Sequence, residues 1–175
     1  WETHLDERPW TMVVSNDQLI LGLGRPKMGA AIVDNVRNLT HVILDSESPV
    51  TTGTDSTNGV IFGHANGDLT TTSGKVWAGL GESISTICSV DGKYFTISHD
   101  KEITTLKSNF EQEWAKNLGP ISTLSAGIVV DKKSTIWAGI QDGINGQLNV
   151  LCQEDGKLVS SMSCGKITSI NSNGK

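Results

Sequence analysis

The hydrophobic positions of this chain fall in short runs separated by polar turns. The clearest apolar runs are residues 19–22, 60–63, 94–97 and 135–138. Turn-forming residues bound them, among them Asn58-Gly59 and Asp91-Gly92. Short runs rich in Ile, Val and aromatic residues are typical of β-strands that are buried on both faces. The pattern therefore predicts an all-β fold in which helices are nearly absent.

The same pattern recurs along the chain at a regular interval. An apolar residue followed by Ser or Thr opens a segment at Val50, Ile84, Ile121 and Ile167, at intervals of 34, 37 and 46 residues. A similar opening at Trp10 lies 40 residues before the first of these. Such intervals match the roughly 40 to 50 residues of one four-stranded blade of a β-propeller. We therefore expect each repeat to be one blade.

Two further strands complete each predicted blade. The third strands are expected at residues 30–33, 68–72, 102–107 and 147–152, and the fourth at 41–44, 75–78, 112–116 and 158–162. Asn66-Gly67 and Asn145-Gly146 precede two of the third strands, and Asn-Gly is the strongest short hairpin signal. Charged residues in the segment 111–114 fit a solvent-facing edge strand.

Two segments are ambiguous in the pattern. Residues 109–118 carry apolar side chains at helical spacing, but the repeat alignment favours an outer strand there. The sequences around Trp77 and Trp137 are alike, yet they lie 60 residues apart, about one and a half repeats. We therefore assign Trp77 to an outer strand and Trp137 to an inner strand.

The repeats predict one partial β-propeller over residues 1–175. Residues 1–8 are assigned to the last strand of a preceding blade, and residues 167–175 to the first strand of a following one. The blades between them are residues 9–49, 50–83, 84–120 and 121–166. Because the two ends do not supply one complete blade, we expect four blades of a ring of seven or eight.

Composition and charge exclude several classes of function. The net charge is −5, and the 14 basic residues are scattered. Nucleic acids and anionic membranes require clustered Lys and Arg, so neither is an expected partner. No apolar stretch approaches the 18 residues of a membrane-spanning helix, so no span is expected.

The cysteines Cys88, Cys152 and Cys164 are odd in number and widely spaced. Such spacing favours three reduced thiols over a disulfide framework. A pair between Cys152 and Cys164 across neighbouring strands is the alternative.

Two segments resemble a known family. Residues 91–103, beginning Asp91-Gly92-Lys93, are similar to the middle of a WD40 blade. Residues 146–159, in which a Gly156-Lys157 turn joins two strands, resemble a quinoprotein-like blade. The chain thus resembles the superfamily of WD40 and quinoprotein-like (PQQ-like repeat) β-propellers. This resemblance implies the fold but carries over no functional residue, and we expect no bound cofactor.

Four polar residues are the candidate site. His64, Asp68, His99 and Asp100 occur near equivalent hairpins of adjacent predicted blades. Equivalent loops lie on one face of a propeller, so this set could bind a metal or transfer protons. The alternative is that Asp and His occur there because they favour turns. No nucleophile-elbow motif or calcium-loop motif occurs in the sequence.

The sequence favours a non-catalytic binding scaffold that presents propeller loops to protein partners. Two alternatives remain open. The chain could belong to a quinoprotein-like enzyme with its site at the central channel. It could also be a structural domain of a larger assembly, whose open ends pair with the rest of the propeller or with another chain.

Overall fold

The computed structural model describes residues 4–25, 28–34, 36–79, 81–100, 102–119, 125–130, 135–142, 144–167 and 170. Within these ranges the chain forms strands, turns and bends but no helix. The all-β prediction is confirmed. It follows that this part of the chain offers no helix long and apolar enough to cross a membrane.

The described strands form four antiparallel sheets of four consecutive strands each. The first two sheets consist of β1 (Pro9–Ser15), β2 (Gln18–Leu23), β3 (Gly29–Val33) and β4 (Leu39–Val42), then β5 (Val50–Thr54), β6 (Ile61–His64), β7 (Leu69–Thr71) and β8 (Gly74–Trp77). The third sheet consists of β9 (Ile84–Val90), β10 (Lys93–Ser98), β11 (Glu102–Leu106) and β12 (Gln112–Asn117). The fourth consists of β13 (Ser125–Val130), β14 (Thr135–Asp142), β15 (Asn145–Cys152) and β16 (Leu158–Cys164). Each sheet is therefore a meander of neighbouring strands, as a propeller blade requires.

The chain divides into two compact units, residues 1–83 and 84–175. In the first unit, β1 and β2 contact β5. Val13 and Ile20 of the first sheet and Val50 and Phe62 of the second share one buried cluster. Gly22 permits this approach, because a Cβ there would lie 2.4 Å from Cγ1 of Val50. Burial of apolar surface therefore holds these two sheets together.

In the second unit, β9 and β10 contact β13. The shared core contains Phe95 and Ile97 of the third sheet and Ile136 of the fourth. Trp114 on β12 also reaches the fourth sheet, where its Nε1 donates to the carbonyl of Gln153 at 3.1 Å. The third and fourth sheets therefore share an apolar core and a hydrogen bond at its edge.

The structure resolves both ambiguous segments. Residues 112–117 form β12 rather than a helix, because Phe110 has a φ of 64° and closes a turn, with its N–H bonded to the carbonyl of Lys107. Trp77 lies on β8, an edge strand, and Trp137 lies on β14, the second strand of its sheet. Both strand assignments are confirmed.

The predicted strands near the two chain ends fall largely on residues outside the described ranges. The predicted opening at residues 121–123 lies outside the described residues, as do 1–3, 168–169 and 171–175. Residues 4–8 contain no strand, and Leu5 packs against the cluster of Leu21 and Leu23 on the first sheet. The blade boundaries and the number of blades in the ring stay predictions.

The three cysteines are free thiols, as the sequence favoured. The alternative pair is wrong, because Cys152 ends β15 whereas Cys164 pairs with Gly146 at the other end of the same hairpin. Burial raises the pKa of the Cys88 thiol, so this residue stays protonated at neutral pH.

Candidate functional site

The turn between β6 and β7 holds two of the predicted site residues. His64 is the last residue of β6, and Asp68 directly precedes β7. The backbone N–H of His64 donates to the carbonyl of Asp68 at 3.0 Å, which closes the hairpin. Gly67 adopts a φ of 87°, which a glycine reaches without steric cost. The Asn66-Gly67 signal therefore produced the predicted hairpin.

The imidazole of His64 is buried, with 1% of the residue exposed. Its Nδ1 lies 2.8 Å from the carbonyl oxygen of Ser48, and its Nε2 lies 2.7 Å from the hydroxyl of Thr70. A carbonyl only accepts, so Nδ1 carries the proton and Nε2 accepts from Thr70. Burial lowers the pKa of His64, so the ring is neutral at pH 7 and joins β6 to the loop before β5.

The carboxylate of Asp68 is also buried, with 5% of the residue exposed. It accepts from Asn66 Nδ2 at 2.9 Å and from the N–H of Gly79 at 3.3 Å, and it pairs with Lys75 Nζ at 2.8 Å. Burial raises the pKa of Asp68, but the hydrogen bonds from Lys75, Asn66 and Gly79 outweigh it and leave the pKa below its usual value. Asp68 therefore stays ionised and fastens the hairpin to the chain beyond β8.

Lys75 connects this network to the loop between β4 and β5. Its backbone N–H donates to Asp45 Oδ2 at 3.3 Å. The hydrogen bond to Asp68 raises the pKa of Lys75, and the nearby carboxylates of Asp45 and Glu47 raise it further. At the far end of the loop, the N–H of Ala65 donates to the carbonyl of Pro49 at 3.0 Å. The loop is thus fastened to its neighbours at both ends.

This fastened loop lines an open hollow of about 790 Å³, here called the β4–β5 groove. The groove is lined by Met28, Ile43, Leu44, Asp45, Ser46 and Glu47. Ile43 is 92% exposed, and the side chains of Asp45 and Glu47 on the same loop are also exposed. The groove therefore combines an exposed aliphatic side chain with two exposed carboxylates.

Sequence reasoning missed the β4–β5 groove. Residues 41–44 were expected to be strand, but β4 ends at Val42, which leaves Ile43 in the loop. The available signal was the sequence Ile43-Leu44-Asp45-Ser46-Glu47, in which apolar residues stand directly beside acidic ones.

The other two predicted residues lie in the turn between β10 and β11. His99 is exposed, and Asp100 is half-buried. The carboxylate of Asp100 accepts from the hydroxyl of Ser98 and from the N–H of Glu102 at 3.4 Å. These contacts are local to the turn, in contrast to those of His64 and Asp68.

The four predicted residues divide between the two units. His64 and Asp68 belong to residues 1–83, whereas His99 and Asp100 belong to residues 84–175. Over the described ranges, no three His, Cys, Asp or Glu side chains are grouped so that they could hold a metal ion. Metal binding or proton transfer by the four residues together stays a prediction.

Consecutive four-stranded antiparallel meanders, stacked through apolar faces within each unit, define a β-propeller. No family model and no curated protein matches the chain. Solved structures do match. BamB from Moraxella catarrhalis superimposes with a TM-score of 0.70 at 18% identity, over 91% of this chain and 50% of that one.

Two further structures are similar. The computationally designed Ika4 protein matches with a TM-score of 0.68 at 13% identity, over 85% of this chain and 93% of that one. A protein of unknown function from Bacteroides caccae superimposes with a TM-score of 0.62 at 9% identity, over 93% of this chain and 63% of that one. The chain thus spans about half the length of BamB. Identities this low show the fold alone, and that fold is the β-propeller that the sequence repeats predicted.

Proposed function

We propose that this protein is a non-catalytic binding scaffold whose propeller loops receive protein partners. The β4–β5 groove binds an extended peptide segment that carries an apolar side chain flanked by Lys or Arg. The observation that supports this is the exposure of Ile43, 92%, beside the exposed carboxylates of Asp45 and Glu47. Ile43 supplies apolar contact area, and the carboxylates select a cationic neighbour.

Hydrogen bonds hold the loop between β4 and β5 in place, and this order supports a binding role for the groove. His64 holds the carbonyl of Ser48, and the N–H of Lys75 holds Asp45. A loop already ordered before binding loses less conformational entropy when a ligand arrives. His64 and Asp68 are thus positioning residues for the groove, and they contact no ligand themselves.

The charge of the chain further limits the kind of partner that the groove can bind. The chain carries a net charge of −5, and Lys75, whose backbone contacts Asp45 of the groove, has its ammonium group paired with Asp68. The exposed carboxylates of Asp45 and Glu47 therefore present negative charge to solvent. Association with a basic segment is expected to be faster at low ionic strength, because salt screens such surface charges.

The test is selection of peptides from a random displayed library on the immobilised chain, followed by Kd measurement with synthetic peptides. We expect selected sequences with an apolar residue next to Lys or Arg. Ile43→Lys should weaken binding at least about tenfold, or about 1.4 kcal/mol. Glu47→Lys should weaken it most at low salt.

His99→Ala is the matched control, because His99 is an exposed loop residue far along the chain from the groove. It should leave Kd unchanged. Peptides that bind Ile43→Lys and Glu47→Lys as well as they bind the parent chain would contradict the groove assignment. A selection that yields no specific peptide would contradict the scaffold proposal for this loop.

A further inference from the structure

The first strand of each sheet carries a bulge at its second residue. The pairing of β1 with β2 passes from Pro9 to Thr11, and that of β5 with β6 passes from Val50 to Thr52. The other two first strands, β9 and β13, shift in the same way. The residues at the four bulges are Trp10, Thr51, Ser85 and Ala126. A bulge turns one side chain out of the regular alternation of its strand, and of these four strands β1 alone places a large side chain there.

The indole of Trp10 is held in place although 52% of the residue is exposed. Its pyrrole edge lies over Gly24, where a Cβ would come within 2.8 Å of Nε1 and 3.1 Å of Cε2. The N–H of Gly24 donates to the carbonyl of Arg8 at 3.1 Å, which fixes the backbone beside the indole. The glycine at position 24 therefore leaves room for the indole in this position.

Trp10 and Thr51 face one open hollow of about 330 Å³, here called the β1–β5 hollow. The described residues that line it are Arg8, Pro9, Trp10 and Thr51. Arg8 and Pro9 are exposed, and the hydroxyl of Thr51 donates to the carbonyl of Gly63 at 3.0 Å. The hollow thus combines a flat apolar surface with one guanidinium group. None of these four residues lines the β4–β5 groove.

The hollow lies between the first strands of the two sheets of the first unit. The segment before β1 runs over the other side of the first sheet, because Leu5 packs against Leu21 and Leu23. These leucines alternate along β2 with Ile20, which lies in the core shared with the second sheet. Trp10 is therefore exposed even though the sheet beside it is in place.

The lining of the hollow selects a kind of ligand. A guanidinium group binds a carboxylate through two parallel hydrogen bonds, and an indole stacks favourably with another aromatic ring. Tryptophan and arginine are also the residues that contribute most often to the binding energy of protein interfaces. The volume is near the lower end of the usual range for ligand pockets, so it suits one side chain and its neighbour.

We propose that the β1–β5 hollow binds a segment of a partner protein in which an aromatic residue stands beside Asp or Glu. The aromatic ring stacks on Trp10, and the carboxylate pairs with Arg8. Charge complementarity supports this occupant, because the described lining supplies a guanidinium group and no carboxylate. This site goes beyond the function proposed for the β4–β5 groove and has the opposite charge preference.

The test follows the indole N–H resonances of the isotopically labelled chain, which has five tryptophans, during titration with capped tripeptides. Trp10→Ala identifies the resonance of Trp10. The acidic peptide acetyl-Asp-Phe-Asp-amide should shift this resonance with a Kd of about 1 mM or below. The basic peptide acetyl-Lys-Phe-Lys-amide should bind at least about tenfold more weakly. No shift with up to roughly 10 mM acidic peptide, or equal affinity for both peptides, would overturn the proposal.

Arg8→Gln removes the guanidinium group and keeps the indole. It should weaken binding of the acidic peptide at least about tenfold. Arg37→Gln is the matched control, because Arg37 is exposed in the turn between β3 and β4, and it should leave Kd unchanged. Both residues are exposed, so circular dichroism and Tm should match the parent chain. An Arg8→Gln variant that binds the acidic peptide as well as the parent chain would overturn the proposal.

Gly24→Ala tests whether the position of the indole matters. The added Cβ would meet Nε1 of Trp10, so the indole must move. We expect the Trp10 resonance of the free variant to shift and the acidic peptide to bind at least about threefold more weakly. An unchanged Kd with a displaced indole would overturn the stacking on Trp10.

The two sites are separable by the same measurements. Ile43→Lys, which changes the β4–β5 groove, should leave the Kd of the acidic peptide unchanged, and Arg8→Gln should leave binding at the groove unchanged. A loss of acidic-peptide binding in Ile43→Lys would overturn the assignment to the hollow.

Discussion

The hairpins β6–β7 and β10–β11 join the second and third strands of their sheets, and both carry a His and an Asp at the turn. In the first hairpin both side chains are buried and bonded to residues from other segments. In the second, His99 is exposed and Asp100 is bonded within its own turn. The same two residue types thus have different roles in the corresponding hairpins of two sheets.

The difference comes from the chain segments that lie beside each turn. The loop before β5 brings the carbonyl of Ser48 to His64, and the segment after β8 brings the N–H of Gly79 to Asp68. The carboxylate of Asp100 instead accepts from Ser98 and Glu102, two residues away on either side. The same residue type is therefore a structural link in one turn and a local cap in the other.

The largest expected difference in stability is between the variants His64→Ala and His99→Ala. The first change leaves a cavity and removes the partners of a buried carbonyl and hydroxyl, so we expect a loss of about 2–4 kcal/mol in the free energy of unfolding. The second change should alter the free energy of unfolding by less than about 0.5 kcal/mol. Urea denaturation of the three chains measures both. Equal losses would show that the two turns are equivalent after all.

A smaller contrast is expected between the two aspartates. Asp68→Asn removes the charge that pairs with Lys75 and accepts from three donors, and should cost about 1–3 kcal/mol. Asp100→Asn keeps an acceptor in a turn with local donors and should cost less than about 1 kcal/mol. Thermal unfolding at neutral pH measures both changes. A more destabilising Asp100→Asn would reverse the comparison.

The smallest effect is a pH dependence confined to the first hairpin. The folded-state pKa of His64 lies below its ordinary value of 6.5 because of burial. The unfolded chain therefore binds this proton more readily. Stability from the neutral ring is fully present above about pH 7 and is lost as the pH falls from about 6.5 towards the lowered pKa.

Chemical denaturation at pH 7.5 and at pH 5.5 should show this loss in the parent chain, and His64→Gln should reduce it. The exposed His99 gives the control, because His99→Gln should leave the difference between the two pH values unchanged. A parent chain equally stable at both values would contradict the neutral, buried state of His64.

Much of the fold was predictable from local pattern. The segment 94–97 was expected as a strand and lies within β10 (Lys93–Ser98), because a short run of buried apolar residues between turns specifies a strand wherever it occurs. The repeat alignment also predicted correctly that residues 112–117 form a strand and not a helix. Local pattern could not reveal that β4 ends at Val42 and leaves Ile43 exposed in a groove.

The site was predictable only in part. The sequence placed His64 and Asp68 at a hairpin but could not show that both are buried, because their partners Ser48 and Gly79 lie 16 and 11 residues away. Nor could it separate this pair from His99 and Asp100, which are the same residue types near the corresponding hairpin of the third sheet.

The sequence by itself determined most of the strands and their antiparallel order, because alternation, apolar runs and Asn-Gly turns act over a few residues. Only the tertiary structure decided which polar side chains became structural links and which apolar ones stayed exposed. Burial and hydrogen bonding depend on segments distant in sequence, as for Ser48 beside His64 and for Ile128, which packs with Phe95 of the third sheet.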